Sequence, residues 1–396
     1  MDPRLNPYTP NAGARPPALV GRDHQLLGFE VLLERLRGGG TEQSMIITGL
    51  RGVGKTVLLG AFREIALKLR WAAVEAEITR HGDFGERIAQ LTRRALLQVA
   101  PRSRWRERAR RAAACLQSFS LTFSPEGAIS LGVDIDAVEG LADSGSLVED
   151  LSDLFVALGE AAREHETGVV FLFDEVQFLE VREFEALIAA LHRTVQRSLP
   201  ITMVGAGLPQ IPRLAGEAKS YAERLFTFPT IGPLPAPAAA EALTSPAAAL
   251  GVSFAPEAAQ RVVDYTQGYP YFLQEYGKTV WDQAEASPID PQLVTACVEL
   301  VEAKLDGSFF RVRAERTTEL ELRYLRAMAE LGSEPQRASD VARVLRRTSN
   351  QLGPTRSRLI EKGLLYTPGF GLAAFTVPQF DRYMIRNHSL RPGISR

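Results

Sequence analysis

Cysteine is nearly absent from the 396-residue sequence, which contains only Cys115 and Cys297. Two cysteines this far apart can form neither a disulfide framework nor a zinc knuckle, and their scarcity is typical of a reducing compartment. The sequence also lacks any run of about 18 apolar residues, and its proline-rich first 17 residues have no apolar core. It therefore predicts neither a membrane span nor a secretory signal, and we expect a cytoplasmic protein with no membrane partner.

The net charge is close to zero, at −1, but the two parts of the sequence differ. Residues 311–396 contain 16 basic and 8 acidic residues, a net charge of +8, whereas residues 1–310 contain 30 basic and 39 acidic residues, a net charge of −9. Hydrophobic residues make up 45% and charged residues 23%, which indicates an ordinary globular protein of two or three domains. A basic C-terminal segment is thus attached to an acidic body.

The most informative segment runs from Ser44 to Ala66, where an apolar strand, a glycine-rich turn and a helical pattern follow one another. The turn fits G-x-x-x-x-G-K-[ST] and predicts an ATP or ADP site. Its glycines let backbone N–H groups surround the α- and β-phosphates, Lys55 reaches the β- and γ-phosphates, and the Thr56 hydroxyl binds Mg²⁺. The alternative is a glycine-rich turn that merely precedes a helix. The predicted phosphate-binding residues are Gly49, Gly52, Val53, Gly54, Lys55, Thr56 and Val57, and Lys55 is also a predicted catalytic residue.

A second motif, which is acidic, ends a strand between Gly168 and Glu175. Five consecutive apolar residues indicate a strand that is buried on both faces, and two carboxylates follow it. In this Walker B pattern Asp174 holds Mg²⁺, and Glu175 orients and deprotonates the water that attacks the γ-phosphate.

Further strands are predicted over 71–78, 201–204 and 224–228. Five strands that alternate with helices predict an α/β fold with a P-loop and a five-stranded parallel sheet. Both acidic and phosphate-binding motifs follow the carboxyl ends of strands, where such sheets bind ligands.

Four motifs together resemble the origin-recognition-like AAA+ ATPases, near their border with the STAND signalling ATPases: Val20-Gly21-Arg22, the P-loop, Phe173-Asp174-Glu175 and Gly268-Tyr269-Pro270. The resemblance implies that the Val-Gly-Arg box lies against adenine. It also implies that Pro270 contacts the base where other AAA+ proteins place a sensor-2 arginine. The nucleotide contacts carried over on this ground are Val20, Gly21, Arg22 and Pro270.

Arg224 precedes Leu225 and Phe226 at the start of the predicted fifth strand, where AAA+ relatives often place an arginine finger. The resemblance implies a catalytic role in the site of a neighbouring subunit, hence a homo-oligomer. The alternative is a surface ion pair with Glu223 or Glu217. The sequence departs from the family pattern after the fourth strand, where the usual Asn or Thr sensor is missing.

Lys55 and Asp174 are 119 residues apart, which leaves room for an insertion at about 101–146. Six arginines between Arg102 and Arg111 open this segment, and an alternating pattern that includes Leu121 and Phe123 predicts a β-hairpin. The segment is either a basic arm for nucleic acid or a partner, or a solvated arginine-rich helix with an apolar stripe.

The proline- and alanine-rich stretch Pro233–Pro246 predicts a hinge and the entry to a helical lid, and the helical patterns after it resemble the AAA+ small domain. The last segment predicts three helices and then a strand pair, which resembles a winged helix-turn-helix. The predicted domains are an N-terminal tail (1–17), an AAA+-like P-loop ATPase domain (18–232), a helical lid (233–310) and a winged-helix domain (311–396).

The third helix of the last segment is the predicted DNA-reading element, and the +8 charge suits phosphate contact. Winged helices also bind proteins, so double-stranded DNA and a protein partner stay open as alternatives. One hypothesis is a Mg²⁺-dependent ATPase that couples nucleotide state to conformational change on DNA. The other is a STAND-like, nucleotide-gated switch that binds a protein and hydrolyses ATP slowly. The predicted DNA-binding residues are Arg356, Arg358 and Lys362.

Overall fold

Five parallel strands form the central sheet of the computed structural model, which describes residues 1–11, 13–80, 82–123, 137 and 139–390. They are β1 (Ser44–Thr48), β2 (Ala72–Glu77), β3 (Val169–Asp174), β4 (Ile201–Gly207) and β5 (Phe226–Thr227). Their order is β2-β3-β4-β1-β5. The predicted five-stranded parallel sheet is confirmed. β4 separates the strand before the P-loop from the strand that ends in Asp174.

Helices cover both faces of this sheet because successive strand residues point to opposite sides. Ile47 and Leu172 pack on one side, with α1 (Asp23–Arg37) and α2 (Lys55–Lys68). Ile46, Phe171 and Phe173 pack on the other side. That second layer contains α3 (Phe84–Val99), α4 (Glu107–Phe123), α5 (Leu147–Glu164) and α6 (Val181–Gln196), and α7 (Ile211–Ala218) and α8 (Ala222–Leu225) follow β4.

The second half of the arginine-rich segment, Arg108 to Arg111, belongs to α4, and Arg102–Arg104 form a 3-10 turn before it. Cys115, Leu116 and Phe119 of α4 are fully buried in the same apolar core as α3 and α5. The predicted first arm of a hairpin is wrong, because Leu121 and Phe123 end this helix. The rest of the predicted hairpin lies outside the described residues. The packing favours the solvated helix with an apolar stripe over a projecting arm.

The lid contains α9 (Ala236–Ala248), α10 (Pro256–Thr266), α11 (Pro270–Gln283), α12 (Pro291–Ala296) and α13 (Val298–Lys304). α9 occupies most of Pro233–Pro246, the stretch predicted as a hinge and as the entry to the lid. Pro237 lies in its first turn, where proline is tolerated, and Pro246 lies inside the helix. A π-helical turn, Leu305–Phe310, leads from the lid into α14 (Arg311–Ala314).

Residues 1–9 of the N-terminal segment pack on the lid. Tyr8 is only 2% exposed, and its hydroxyl donates to the carbonyl of Leu243. The Asn6 amide donates to the Lys278 carbonyl, 3.0 Å away, and the Thr9 N–H donates to Gln274 Oε1, also at 3.0 Å. A segment predicted as a tail is therefore fixed along α9 and α11.

The C-terminal domain contains α15 (Glu319–Leu331), β6 (Gln336–Arg337), α16 (Ala338–Val344), α17 (Ser349–Glu361), β7 (Leu365–Tyr366), β8 (Leu372–Phe375) and α18 (Phe380–Asn387). The three short strands form an antiparallel sheet in the order β6-β8-β7. The sequence predicted three helices and two strands; β6 and α18 are additions. None of the helices in the described part of the chain combines the length and apolarity needed to cross a bilayer.

Candidate active site

The P-loop leaves the carboxyl end of β1 and leads into α2. Gly52 and Gly54 have φ values of 81° and 92°, a region that side chains disfavour. Gly49 is needed for another reason, since a Cβ there would lie 2.4 Å from the carbonyl oxygen of Ile231. α2 begins at Lys55, so its positive end faces the loop.

Lys55 folds over the loop that precedes it. Its Nζ donates to the carbonyls of Gly49 and Leu50, each at 2.9 Å. The side chain is buried, and burial lowers the pKa of Lys55 to about 8, although the carboxylates of Glu175 and Asp174 oppose that shift. Lys55 is therefore a cation at neutral pH, held where phosphates would meet the loop.

Thr56 and Asp174 bring two oxygen ligands together at the carboxyl edge of the sheet. Thr56 Oγ1 donates to Asp174 Oδ2 at 2.5 Å, and the Glu175 N–H donates to Asp174 Oδ1 at 2.8 Å. Burial raises the pKa of Asp174, and the hydrogen bond from Thr56 counteracts that shift. A hydroxyl beside a carboxylate is the donor set that Mg²⁺ prefers, so these residues fit the ion.

Glu175 follows Asp174 with a left-handed backbone, at φ 55°. Its Oε1 lies 3.0 Å from Arg51 Nη1, and its Oε2 accepts a hydrogen bond from Gln177 Nε2. Its side chain is 21% exposed. The carboxylate thus lies at the site but already has two donors.

A cavity of about 370 Å³ joins these groups to the lid. Its phosphate end contains Lys55, Thr56, Asp174 and Glu175, and its other walls are largely apolar. The sequence-predicted residues that line it are Val20, Arg22, Gly52, Val53, Gly54, Lys55, Thr56, Val57, Asp174, Glu175 and Pro270. One cavity therefore contains contributions from the Val-Gly-Arg box, the P-loop, Walker B and the lid proline.

Arg22 forms part of the cavity wall, and Gly21 packs behind it. Arg22 is only 7% exposed and donates to the carbonyls of Val53, at 3.2 Å, and Gly232, at 2.6 Å. It therefore links the P-loop to the start of the lid. Gly21 does not line the cavity, but a Cβ there would lie 3.0 Å from the Ala238 side chain.

Arg224 lies away from this cavity. It belongs to α8 rather than to a strand, because β5 begins only at Phe226. Phe226 pairs with Ser44 at the amino end of β1, whereas the P-loop leaves the carboxyl end. Arg224 is exposed and cannot act on the site of its own chain, so a finger role in a neighbouring subunit stays a prediction.

The three basic residues predicted to bind DNA have intramolecular partners. Arg356 donates to the Leu372 carbonyl at 2.5 Å, while Arg358 and Lys362 pair with Glu321 at 3.2 and 2.6 Å. The Glu321 side chain is fully buried. These residues stabilise the C-terminal domain, which a count of charges along the sequence could not indicate.

Several cavity residues lay outside the sequence prediction. The lid contributes Tyr271 and Gln274, the turn after the lid contributes Phe309, and α14 contributes Arg313. The N-terminal segment contributes Thr9, Pro10, Asn11, Gly13, Ala14 and Pro16. The Phe309 ring stacks on Tyr271 with centroids 4.4 Å apart. None of these residues belongs to a recognisable motif. Arg51 lay inside the P-loop motif, at a position where the motif accepts any residue.

Comparisons with known proteins agree with this geometry. Residues 18–204 match the model of the AAA ATPase domain, and residues 307–384 match a domain of unknown function. Origin recognition complex subunit 4 of Rattus norvegicus is 27% identical over 175 residues, which are 44% of this chain and only 33% of that relative. The chain therefore matches about a third of the length of this curated relative.

Among solved structures, a Walker-type ATPase of Pyrococcus abyssi is 16% identical with a TM-score of 0.51, over 94% of this chain and 97% of that one. The Orc1 protein of Aeropyrum pernix, solved with DNA, is 14% identical with a TM-score of 0.42 over 94% of each chain, too low a similarity to support an argument. The first of these structures supports the fold. The family match covers just under half of the chain, and the P-loop and Walker B residues that the structure brings together lie within it, so residues 18–204 resemble an AAA ATPase domain.

Proposed function

We propose that the protein uses Mg²⁺-dependent ATP hydrolysis to change the arrangement of its lid and C-terminal domain, and that the C-terminal domain acts on DNA. The observation that carries the catalytic part is the contact of 2.5 Å between Thr56 Oγ1 and Asp174 Oδ2, beside Lys55 and Glu175. It joins the two motifs across β4, as phosphoryl transfer requires.

Each group has a distinct task. The backbone of Gly52 to Lys55 and the positive end of α2 bind the phosphates. The Lys55 ammonium stabilises charge on the β- and γ-phosphates, and Glu175 orients and deprotonates the attacking water. Thr56 and Asp174 would hold Mg²⁺, which neutralises charge on the phosphates when it is bound.

The adenine base of the nucleotide would lie in the apolar part of the cavity, beside the lid. Val20 and Leu234 contribute to one part of the cavity wall, and Pro270 and Leu273 contribute from the lid. The lid is also attached to the loop directly, since the Tyr271 N–H donates to the Gly52 carbonyl at 3.3 Å. Nucleotide binding therefore couples to the position of the lid.

The catalytic proposal is tested with Lys55→Ala and Glu175→Gln. We expect Lys55→Ala to lose ATP binding, measured with a fluorescent nucleotide, and Glu175→Gln to bind ATP with little change in Kd but to hydrolyse it at least about 100-fold more slowly. Arg182→Gln, a change of a surface residue that is 78% exposed, is the control. Wild-type turnover by Glu175→Gln would refute the assignment of Glu175 as the general base.

The DNA proposal rests on the basic C-terminal domain and on exposed arginines around its helix-turn-helix. Arg346 and Arg347 lie exposed in the turn between α16 and α17, and Arg337 lies exposed on β6. They are better candidates for phosphate contact than Arg358 and Lys362, whose charges are paired with Glu321. We therefore place the DNA-facing surface at this turn.

Duplex binding is measured by fluorescence anisotropy across a salt series. We expect Arg346→Ala combined with Arg347→Ala to weaken binding and to reduce the slope of log K against log salt by about 2, one for each phosphate that the variant leaves without a cation. Arg182→Ala combined with Arg213→Ala changes two exposed arginines of the ATPase domain and is the matched control. Equal binding by both double variants would exclude this surface.

The second candidate function is a nucleotide-gated switch that binds a protein. One observation favours it: the N–H of Arg51 in the P-loop donates to the carbonyl of Thr376 in the C-terminal domain at 3.0 Å. Phe370, fully exposed at the turn between β7 and β8, offers an apolar contact for a protein. Slow hydrolysis, retained ADP and no salt-sensitive duplex binding would support this alternative.

A further inference from the structure

The proposed catalytic base does not present a free carboxylate to the cavity. One oxygen of Glu175 accepts from the Arg51 guanidinium at 3.0 Å, and the other accepts from the Gln177 amide. Both oxygens of the carboxylate are therefore occupied by hydrogen-bond donors, one of them a charged guanidinium. The two donors also fix its orientation. In this arrangement Glu175 is held, rather than poised to attack through a water.

Arg51 is the donor that connects Glu175 to the rest of the molecule. Its backbone N–H donates to the Thr376 carbonyl of the C-terminal domain at 3.0 Å, and its backbone carbonyl accepts from the Tyr269 hydroxyl of the lid. Its guanidinium approaches the C-terminal domain so closely that a Cβ at Gly363 would lie 3.1 Å from Nη2. One residue of the P-loop therefore contacts Walker B, the lid and the C-terminal domain.

The C-terminal side of this contact is rigid. Thr376 is fully buried, its Oγ1 donates to the Gly363 carbonyl at 2.7 Å, and its N–H donates to the Leu364 carbonyl at 3.0 Å. Movement of the C-terminal domain would therefore remove both the Thr376 carbonyl and the backbone at Gly363 from Arg51 together.

Gln177 is the second donor and is independent of the C-terminal domain. Its Oε1 accepts from the Leu208 N–H at 3.2 Å, which attaches it to the end of β4. Undocking of the C-terminal domain would therefore release only the Arg51 side of Glu175, and the carboxylate would keep one orienting partner within the sheet.

We propose that Arg51 is a positioning residue that holds Glu175 out of its catalytic orientation while the C-terminal domain is docked on the P-loop, and that undocking of this domain releases Glu175 for hydrolysis. The proposal rests on the proposed role of Glu175 as the base. By linkage, a ligand that draws the C-terminal domain away favours the active arrangement, and nucleotide that displaces Arg51 weakens the docking.

The first test compares steady-state ATP hydrolysis by the full chain with Arg51→Gln, Arg51→Lys and the control Arg182→Gln. A hydrogen bond to a charged group is strong enough that its loss predicts a rise in kcat of about tenfold for Arg51→Gln, with KM within about twofold of wild type. Arg51→Lys retains the positive charge but not the planar guanidinium, so its rise in kcat should be smaller than that of Arg51→Gln. The rise should disappear when Glu175→Gln is added.

The second test approaches the contact from the C-terminal domain. Gly363→Ala places a methyl group against the Arg51 guanidinium at a φ of 69°, whereas Gly371→Ala has nearly the same φ, 73°, and nothing within 4 Å. The two substitutions carry equal backbone strain, so we expect only Gly363→Ala to raise kcat. Amide hydrogen exchange at Arg51 should be faster in Gly363→Ala and unchanged in Gly371→Ala. If Arg51→Gln does not fold, this pair still tests the proposal.

The outcomes are distinct. Unchanged or reduced kcat in folded Arg51→Gln, or equal kcat in the two glycine variants, overturns the proposal. A loss of activity as large as that of Lys55→Ala would instead make Arg51 a phosphate ligand. Undiminished hydrolysis by Glu175→Gln would remove the proposed function itself, whatever Arg51→Gln does.

Discussion

The state of Lys55 predicts how nucleotide affinity depends on pH. Burial lowers the pKa of this ammonium to about 8 in the ligand-free chain. A bound di- or triphosphate beside it stabilises the charged form and raises the pKa again. Above pH 8, Lys55 must therefore take up a proton when nucleotide binds. The nucleotide affinity is highest below pH 8 and falls as the pH rises toward the Lys55 pKa of the complex.

The magnitude follows from the fraction of Lys55 that is charged. With a pKa of about 8, the charged fraction falls roughly 25-fold between pH 7.5 and 9.5, because each pKa unit corresponds to about a factor of ten. If the complex keeps its proton over that range, Kd for ADP rises by the same factor. The second pKa of a phosphate is about 6, so ADP itself does not change its charge between pH 7.5 and 9.5.

Isothermal titration calorimetry with ADP, in two buffers of different ionisation enthalpy, measures both Kd and proton uptake. Lys55→Arg is the control, because a guanidinium stays charged throughout this range. A change in Kd of less than about threefold in the wild type, without proton uptake, would refute the reasoning, as would an equal decline in Lys55→Arg.

Two further predictions concern a pair of glycines and a buried glutamate. Gly49→Ala places a Cβ 2.4 Å from the Ile231 carbonyl oxygen and should abolish nucleotide binding. Gly60→Ala, in α2 with nothing within 4 Å of the added Cβ, should raise the free energy of unfolding by about 0.5–1 kcal/mol. Thermal melts and ADP titrations compare the two variants, and equal ADP binding by both would contradict the prediction for Gly49. Glu321→Gln should lower the free energy of unfolding by about 2 kcal/mol, less than for a fully buried pair because Arg358 and Lys362 reach solvent. Burial opposes the shift, but the hydrogen bonds from Lys362 and Thr318 keep the pKa of Glu321 below its ordinary value. Its contribution is therefore present at neutral pH and lost as the pH falls through the folded-state pKa; denaturant titrations should show the full variant difference at pH 7 and a difference that shrinks as the pH falls below about 4, the ordinary range of the carboxyl.

Much of the nucleotide site could be predicted from short sequence motifs. A P-loop is built from consecutive backbone N–H groups, so the glycines, Lys55 and Thr56 are written next to one another in the sequence. The apolar run before Asp174 likewise reflects a strand buried on both faces. The order of β3, β4 and β1, which brings Asp174 Oδ2 to 2.5 Å from Thr56 Oγ1, was not predicted from the sequence and is seen only in the sheet.

The sequence by itself determined the chemistry of this protein: a phosphate-binding loop, two carboxylates at the end of a buried strand, and a basic C-terminal segment. Tertiary structure alone decided which of the remaining charges are free to act. Arg358 and Lys362 are paired with the buried Glu321, and Arg51 meets Thr376, 325 residues later in the chain. Such contacts leave no periodicity or spacing in the sequence, because they depend on how separate elements pack rather than on how one element folds.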